Sequence, residues 1–226
     1  MEELKILASF NIGSLNIDIT ANMIVQWAIM FVLFLIAFFA TKNLEIKPNK
    51  KQIMVEQVYN TIKNFVCDNV GKEYIKLVPF LGTIAIFLLI MNLIGLIGIE
   101  PPTQSLGVTV GMALITFVVV QGYAIKHHGV KSYMKGYLSP IAPMLPLNIL
   151  ERVILPISLS LRLFGNVMAG TFIIGLVYES LQKITWLAQI GLPIALHGYF
   201  DIFDGVIQMV IFVMLTMINI KIVSEH

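Results

Sequence analysis

The chain has 226 residues, of which 58% are hydrophobic and only 12% charged, with a mean hydropathy of +0.87. Soluble domains carry about 25% charged residues, so this composition excludes an ordinary water-soluble fold and makes lipid the solvent. The net charge of +2 is too small for a nucleic-acid partner, and Cys67, the single cysteine, excludes an internal disulfide or a cysteine metal cluster and fits a reducing compartment.

At the N-terminus, Glu2 and Glu3 stand where a signal peptide would be basic, and no long apolar core follows, so the first span is expected to be retained. That span is predicted over about 23–40, an uncharged run long enough for a hydrocarbon core of about 30 Å. Residues 48–75 alternate charge with Ile53, Val55, Val58, Ile62, Phe65 and Val66 at helical spacing, which predicts a helix lying on the membrane surface. Residues 77–99 and 106–125 are apolar and flank Glu100-Pro101-Pro102, a turn signal that makes them a hairpin. A basic, Pro-rich loop is expected over 126–146, and then two longer segments, 147–181 and 190–223, with a short turn between them. About 35 residues make a helix of about 50 Å, which a core of about 30 Å accommodates only if the helix is strongly inclined or broken. Pro156 and Pro193 mark either kinks or helix starts. The expectation is an all-α membrane protein forming one domain over residues 1–226, with five crossings, an amphipathic surface helix, and two long tilted helices at the end.

Basic residues collect on the cytoplasmic side of membrane proteins. With the N-terminus outside, Lys42, Lys47, Lys50, Lys51, Lys63, Lys72, Lys76, Lys126, Lys131, Lys135, Arg152 and Lys221 all fall inside, and only Lys5 and Lys183 fall outside. The C-terminus is then cytoplasmic, and the one basic residue left over, Arg162, lies within the membrane.

An arginine at the centre of a membrane helix costs about 2.5–3.5 kcal/mol on insertion scales, so Arg162 needs a partner or water. At 100° per residue, Ser158, Gly165, Asn166 and Ala169 fall within about 60° of it, with Gly170 slightly further round. Small residues let another helix approach closely, so this face can present the guanidinium to a passing partner while Ser158 and Asn166 supply hydrogen bonds. The alternative is that Arg162 snorkels or pairs with an acid of its own bundle. On the last helix His197, Asp201, Asp204 and Gln208 are spaced by four, three and four, which puts them in one polar stripe about 60° wide, extended by Asn219. Titratable groups in reach of water or one another are what proton transfer requires; the alternative is a hydrogen-bond network that holds the bundle together.

Other polar positions admit two readings each. Asn92 lines a path near the outer half or makes a packing hydrogen bond. Glu151, at the cytoplasmic start of the Arg162 helix, offers an exit for ions or is simply favourable near a helix N-terminus. Glu179 and Lys183 are spaced for a surface ion pair, and His127 and His128 fall in the expected loop. Nothing resembles a phosphate-cradling glycine loop, a nucleophile with its base or a metal box; the chain itself is expected neither to bind nor to cleave ATP, and to need no cofactor.

The segment SLSLRLFGNVMAG, 158–170, resembles the signature of the stator a subunit of F-type rotary ATP synthases, in which an intramembrane Arg stands in a fixed frame with a Gly-Asn pair. The resemblance extends to MNLIGL (91–96), Pro-Pro-Thr (101–103), VTVGMAL (108–114) and QMVIFVMLTMINI (208–220). It implies a chain set against a rotating c-subunit ring and the b subunits of the peripheral stalk, in a bacterial plasma membrane. Translocated H+ or Na+ would use two half-channels and load a carboxylate on the ring, with ion selectivity residing mainly on that other chain. Arg162 matches the stator arginine that holds the ionised ring carboxylate and blocks a leak. Asn166 and Gln208 match positions near that arginine, with Ser158 one turn toward the cytoplasm. Two positions depart from the common pattern: Thr171 stands where many relatives have Glu, and Asp201 where others have His or Glu, which shifts the acidic work of the inlet toward Asp201 and Asp204. A secondary cation/proton antiporter would instead show internal repeats with paired broken helices, and the two halves of the chain show none. A scaffold without transport would leave the Asp201 and Asp204 stripe without purpose.

Overall fold

Among the described residues five helices are long and apolar enough to cross a bilayer: Ala21–Thr41, Lys72–Ile97, Leu106–His127, Leu145–Gln182 and Gly191–Val223. They are seen in a computed structural model that describes residues 6–12, 15–42, 44–136, 142–183 and 188–225. The chain is therefore an all-α, multi-pass membrane protein.

A short antiparallel hairpin, β1 (Ile6–Ile12) and β2 (Leu15–Thr20), precedes the bundle, with Ile12 opposite Leu15. The sequence reading did not assign it. Its signal is local: Leu15, Ile17 and Ile19 alternate with Asn16, Asp18 and Thr20, the two-residue period of a strand. Glu2, Glu3 and Lys5 lie outside the described residues.

Helix α1 (Ala21–Thr41) is about 32 Å long, one bilayer core. Ile29 is its only buried side chain, so most of the helix surface is not covered by the rest of the chain. Helix α2 (Lys50–Val70) starts where the Asn49 side chain accepts from the Lys50 N–H at 2.7 Å, and stops at Gly71, whose φ of 108° favours glycine. Because of that stop it ends before the expected residue 75, and the chain passes through a 3-10 turn, Lys72–Leu77. Ile53, Met54, Val55 and Val58 remain exposed, whereas Val66 and Val70 are buried; only the far end of the surface helix docks on the bundle.

Helix α3 (Val78–Leu93) has Pro79 in its first turn, where the missing N–H is harmless. A 3-10 turn, Ile94–Ile97, follows, and then Gly98 with φ 79°. Pro101, Pro102 and Thr103 of the next turn are buried, so this connection packs into the bundle. Helix α4 (Leu106–Gly136) corrects the expected loop from residue 126. Helical pairing continues through His127, whose ring lies tilted beside that of Tyr123 with centroids 5.6 Å apart, and breaks only at Gly129, with φ 75° and ψ 155°. No proline occurs between Leu106 and Gly136 to end the helix sooner. Beyond the break, Tyr133 folds back: its hydroxyl donates to Gln121 Oε1 at 2.6 Å, a contact that a straight helix would prevent by separating the two residues by about 18 Å. Residues 137–141 of the expected loop lie outside the described residues.

Helix α5 (Leu145–Gln182) is 38 residues, about 57 Å, and contains Pro156 within it. A helix of that length fits a core of about 30 Å only when inclined. Of the expected turn after it, residues 184–187 lie outside the described residues. The last span is α6 (Ala188–His197), a π turn (Gly198–Asp204) and α7 (Gly205–Glu225), with Pro193 inside α6. The core lies where α3, α4, α5 and α7 meet, at Leu88, Met91, Leu163, Phe212, Met217 and Ile220.

Candidate functional site

The polar residues singled out above divide into two groups on either side of α5. Leu159, Leu163, Gly170 and Ile174 form its buried face. Ser158, Arg162, Gly165 and Ala169 are exposed on another, and Glu151, eleven residues before Arg162, lies on that same exposed face, about 16 Å from it along the axis. Arg162 makes no hydrogen bond or ion pair with any described residue. It stands about 26 Å from the start of α5 and about 30 Å from its end, too deep to snorkel out of either. Among the described residues no acid of its own bundle pairs with it. Glu151 sits six residues into α5, past the first turn, where the helix dipole has little hold on it.

Asn166 stands on the shoulder between the two faces. Its Nδ2 donates to Asp204 Oδ2 at 2.6 Å and to Gln208 Oε1 at 3.5 Å. These residues line a cleft with Asn92, Pro101, Gly170, Thr171, Phe200 and Asp201. The cleft has about 20 Å³ of water-accessible volume, above the roughly 10–15 Å³ that one water molecule needs. Gln208 is 3% exposed and its Nε2 has no hydrogen-bond partner, so a water in this polar cleft has a donor waiting for it.

Of the polar residues expected to form a stripe on the last helix, Asp201, Asp204 and Gln208 border the same cleft but differ in their hydrogen-bond partners. His197 Nδ1 and Asp201 Oδ2 are 2.7 Å apart, with Asp201 the more buried of the two; Asp204 and Gln208 turn instead to Asn166. The cause is the π turn, Gly198–Asp204. Its i→i+5 pairing takes more residues to close a turn than the 3.6 of an α-helix, so Asp201 and Asp204 are rotated toward different partners while both still border the cleft. Asn219, eleven residues past Gln208, is buried but does not line the cleft.

Asn92 is 4% exposed, and its amide donates to the Gly205 carbonyl at 3.2 Å and accepts from Thr103 Oγ1 at 3.4 Å, so the packing reading of Asn92 is realised although it also borders the cleft. The small-residue face divides as well: a Cβ at Gly165 would meet nothing within 4 Å, whereas one at Gly170 would lie 3.1 Å from Phe200 Cδ1. Glu179 and Lys183 form no ion pair. Among the described residues no cluster of His, Cys, Asp and Glu is shaped to hold a metal ion.

Sequence reasoning missed Gln104, whose Nε2 donates to Thr171 Oγ1 at 2.7 Å. Thr171, one of the two departures noted in the sequence, thus belongs to a neutral pair that ties the α3–α4 connection to α5. The Pro-Pro-Thr turn was noticed; that its next residue reaches α5 depends on tertiary packing.

A protein-family profile described as ATP synthase A chain matches residues 23–221. The chain is 32% identical to the sodium-ion-specific ATP synthase subunit a of Propionigenium modestum, over 92% of this chain and 75% of that one. It is 35% identical to ATP synthase subunit a 2 of a Bradyrhizobium species, over 93% and 91% of the two chains. It is 30% identical to ATP synthase subunit a of Moorella thermoacetica, over 96% and 95%. With the intramembrane arginine, the five spans and these matches together, the chain belongs to the ATP synthase A chain family, as an F-type ATP synthase a subunit.

Proposed function

We propose that this stator subunit couples ion flow to rotation through Arg162, which meets the carboxylate of a rotating c-subunit ring on the exposed face of α5. The observation that carries this reading is an arginine deep within a 38-residue helix with no partner among the described residues, flanked by exposed Ser158, Gly165 and Ala169. A charge left so in lipid costs about 2.5–3.5 kcal/mol or more, and small neighbours let a second helix come close enough to neutralise it. A ring carboxylate arriving ionised pairs with the guanidinium; one arriving protonated does not, so the arginine separates two paths.

The inlet path runs through the cleft. With the N-terminus outside and the C-terminus cytoplasmic, the orientation that sorts the lysines and arginines, the cleft bordered by Pro101 and Thr171 opens toward the outer side. His197 with Asp201 receives the ion, and Asp204 with Asn166 and Gln208 passes it toward α5. The exit path follows the exposed face from Arg162 past Ser158 to Glu151 on the cytoplasmic side. One charge crossing 100 mV releases about 2.3 kcal/mol, so several ions, H+ or Na+, serve each ATP. The setting is a bacterial plasma membrane, with the b subunits of the peripheral stalk holding the chain against the torque of the ring.

The test is ion-driven ATP synthesis in vesicles carrying Arg162→Ala. Loss of synthesis with normal assembly is expected; coupled synthesis that survives the substitution would refute the stator role of Arg162.

A further inference from the structure

The π turn is seated on the 91–96 segment at two points. At its C-terminal end, Asn92 Nδ2 donates to the Gly205 carbonyl at 3.2 Å, while Thr103 holds the other side of the same amide. A Cβ at Gly205 would lie 3.0 Å from Asn92 Cβ, so the contact requires glycine there. In mid-turn, a Cβ at Gly95 would come to 3.2 Å from both oxygens and the carboxyl carbon of Asp201; the missing side chain makes the recess that Asp201 occupies. A backbone carbonyl has two lone pairs, so the Asn92 bond adds to the helical pairing at the place where π geometry gives way to α7.

The consequence concerns the two carboxylates. On a regular α-helix, residues three apart are neighbours about 5–6 Å apart at Cβ and share one surface. Here Asp201 is turned toward Gly95 and His197, and Asp204 toward Asn166. We infer that Asn92 and Gly95 are positioning residues of the ion path: they hold the π turn that presents Asp201 and Asp204 to different partners, so that the two carboxylates work in series as an outer and an inner station. This rests on the inlet role proposed for the cleft. Neither residue exchanges an ion itself; both act through the shape of the turn.

The test uses the complete ATP synthase in vesicles, with the rate of ion-driven synthesis measured against the outer concentration of H+ and, separately, of Na+. Asn92→Leu removes the donor at similar volume, and Gly205→Ala adds one methyl group at the same contact; each is made alone and with Asp204→Asn. A misplaced inner station slows loading, which depends on ion concentration. Each single variant should therefore raise the ion concentration for half-maximal rate by about three- to tenfold, the factor one lost hydrogen bond carries, with the maximal rate per assembled complex little changed. In the Asp204→Asn background that shift should vanish, because the group being positioned is gone. A lower maximal rate at unchanged half-saturation, or a shift that persists undiminished with Asp204→Asn, overturns the positioning role. If Asp204→Asn alone changes neither quantity, the inlet reading itself is overturned, and that arm identifies the failure. Should Asn92→Leu not assemble, Gly205→Ala decides.

Discussion

Replacing Asn166 by Leu removes the side chain that hydrogen-bonds from α5 to Asp204 of the last span inside the cleft, at nearly constant volume and without opening a cavity. The 2.6 Å bond to Asp204 Oδ2 is of the kind that, made to a charged group, contributes about 1.5–3 kcal/mol. The 3.5 Å approach to Gln208 Oε1 is too long to add much. At 1.36 kcal/mol per tenfold, losing the Asp204 bond corresponds to a fall of about 10- to 150-fold in any step that needs Asp204 held where it is. The assay is ion-driven ATP synthesis per assembled complex, with assembly scored by co-purification of the ring. We expect at least a tenfold loss of rate with assembly retained, and little further loss when Asp204→Asn is added, since both changes act on the same contact, the first removing the donor and the second the carboxylate charge. Normal synthesis by Asn166→Leu would refute the view that this hydrogen bond lies on the ion path.

Asp201→Asn together with Asp204→Asn should slow ion uptake and pumping while leaving assembly intact; rates unchanged across outer pH would sink the relay. Gly170→Val crowds Phe200, already 3.1 Å from the position of a Cβ, and should weaken the bundle by about 1–3 kcal/mol, read as earlier thermal dissociation of the complex. Gly175→Ala, where a Cβ meets nothing within 4 Å, serves as the comparison and should not lower that temperature. Gly129→Ala forces a side chain onto φ 75°, at a cost of about 1–2 kcal/mol. It should free the segment that carries Tyr133 back to Gln121, seen as faster proteolysis at Lys131; unchanged cleavage would mean that the reversal does not depend on this glycine.

Much of the architecture is legible in one dimension. The spans are runs of apolar residues, and a hydrocarbon core selects them by length and hydropathy whatever their neighbours are. Thus the boundaries of α5, expected at 147 and 181, lie within two residues of Leu145 and Gln182. Arg162 announces itself for the same reason, since a charge in such a run is costly wherever the other helices lie. Helix ends were read less well where glycine rather than composition ends them: Gly71 stops α2 early, and Gly129 breaks α4 late. Both depend on a backbone conformation that glycine permits but does not compel.

The cleft is another matter. A stripe drawn at 100° per residue assumes an α-helix throughout, and the π turn at Gly198–Asp204 breaks that assumption at the two carboxylates that matter most. Nothing in the spacing of His197, Asp201, Asp204 and Gln208 signals it, because the turn is held by partners more than 100 residues away: Asn92 on the Gly205 carbonyl and the bare Cα of Gly95 beside Asp201. The sequence by itself determined the solvent, the number of crossings and the arginine, since each follows from the free energy of moving a residue type into lipid. Only the tertiary structure decided which polar groups meet, because hydrogen bonds act over about 3 Å and a shift of one residue in helical pairing is enough to send two neighbouring carboxylates to different partners.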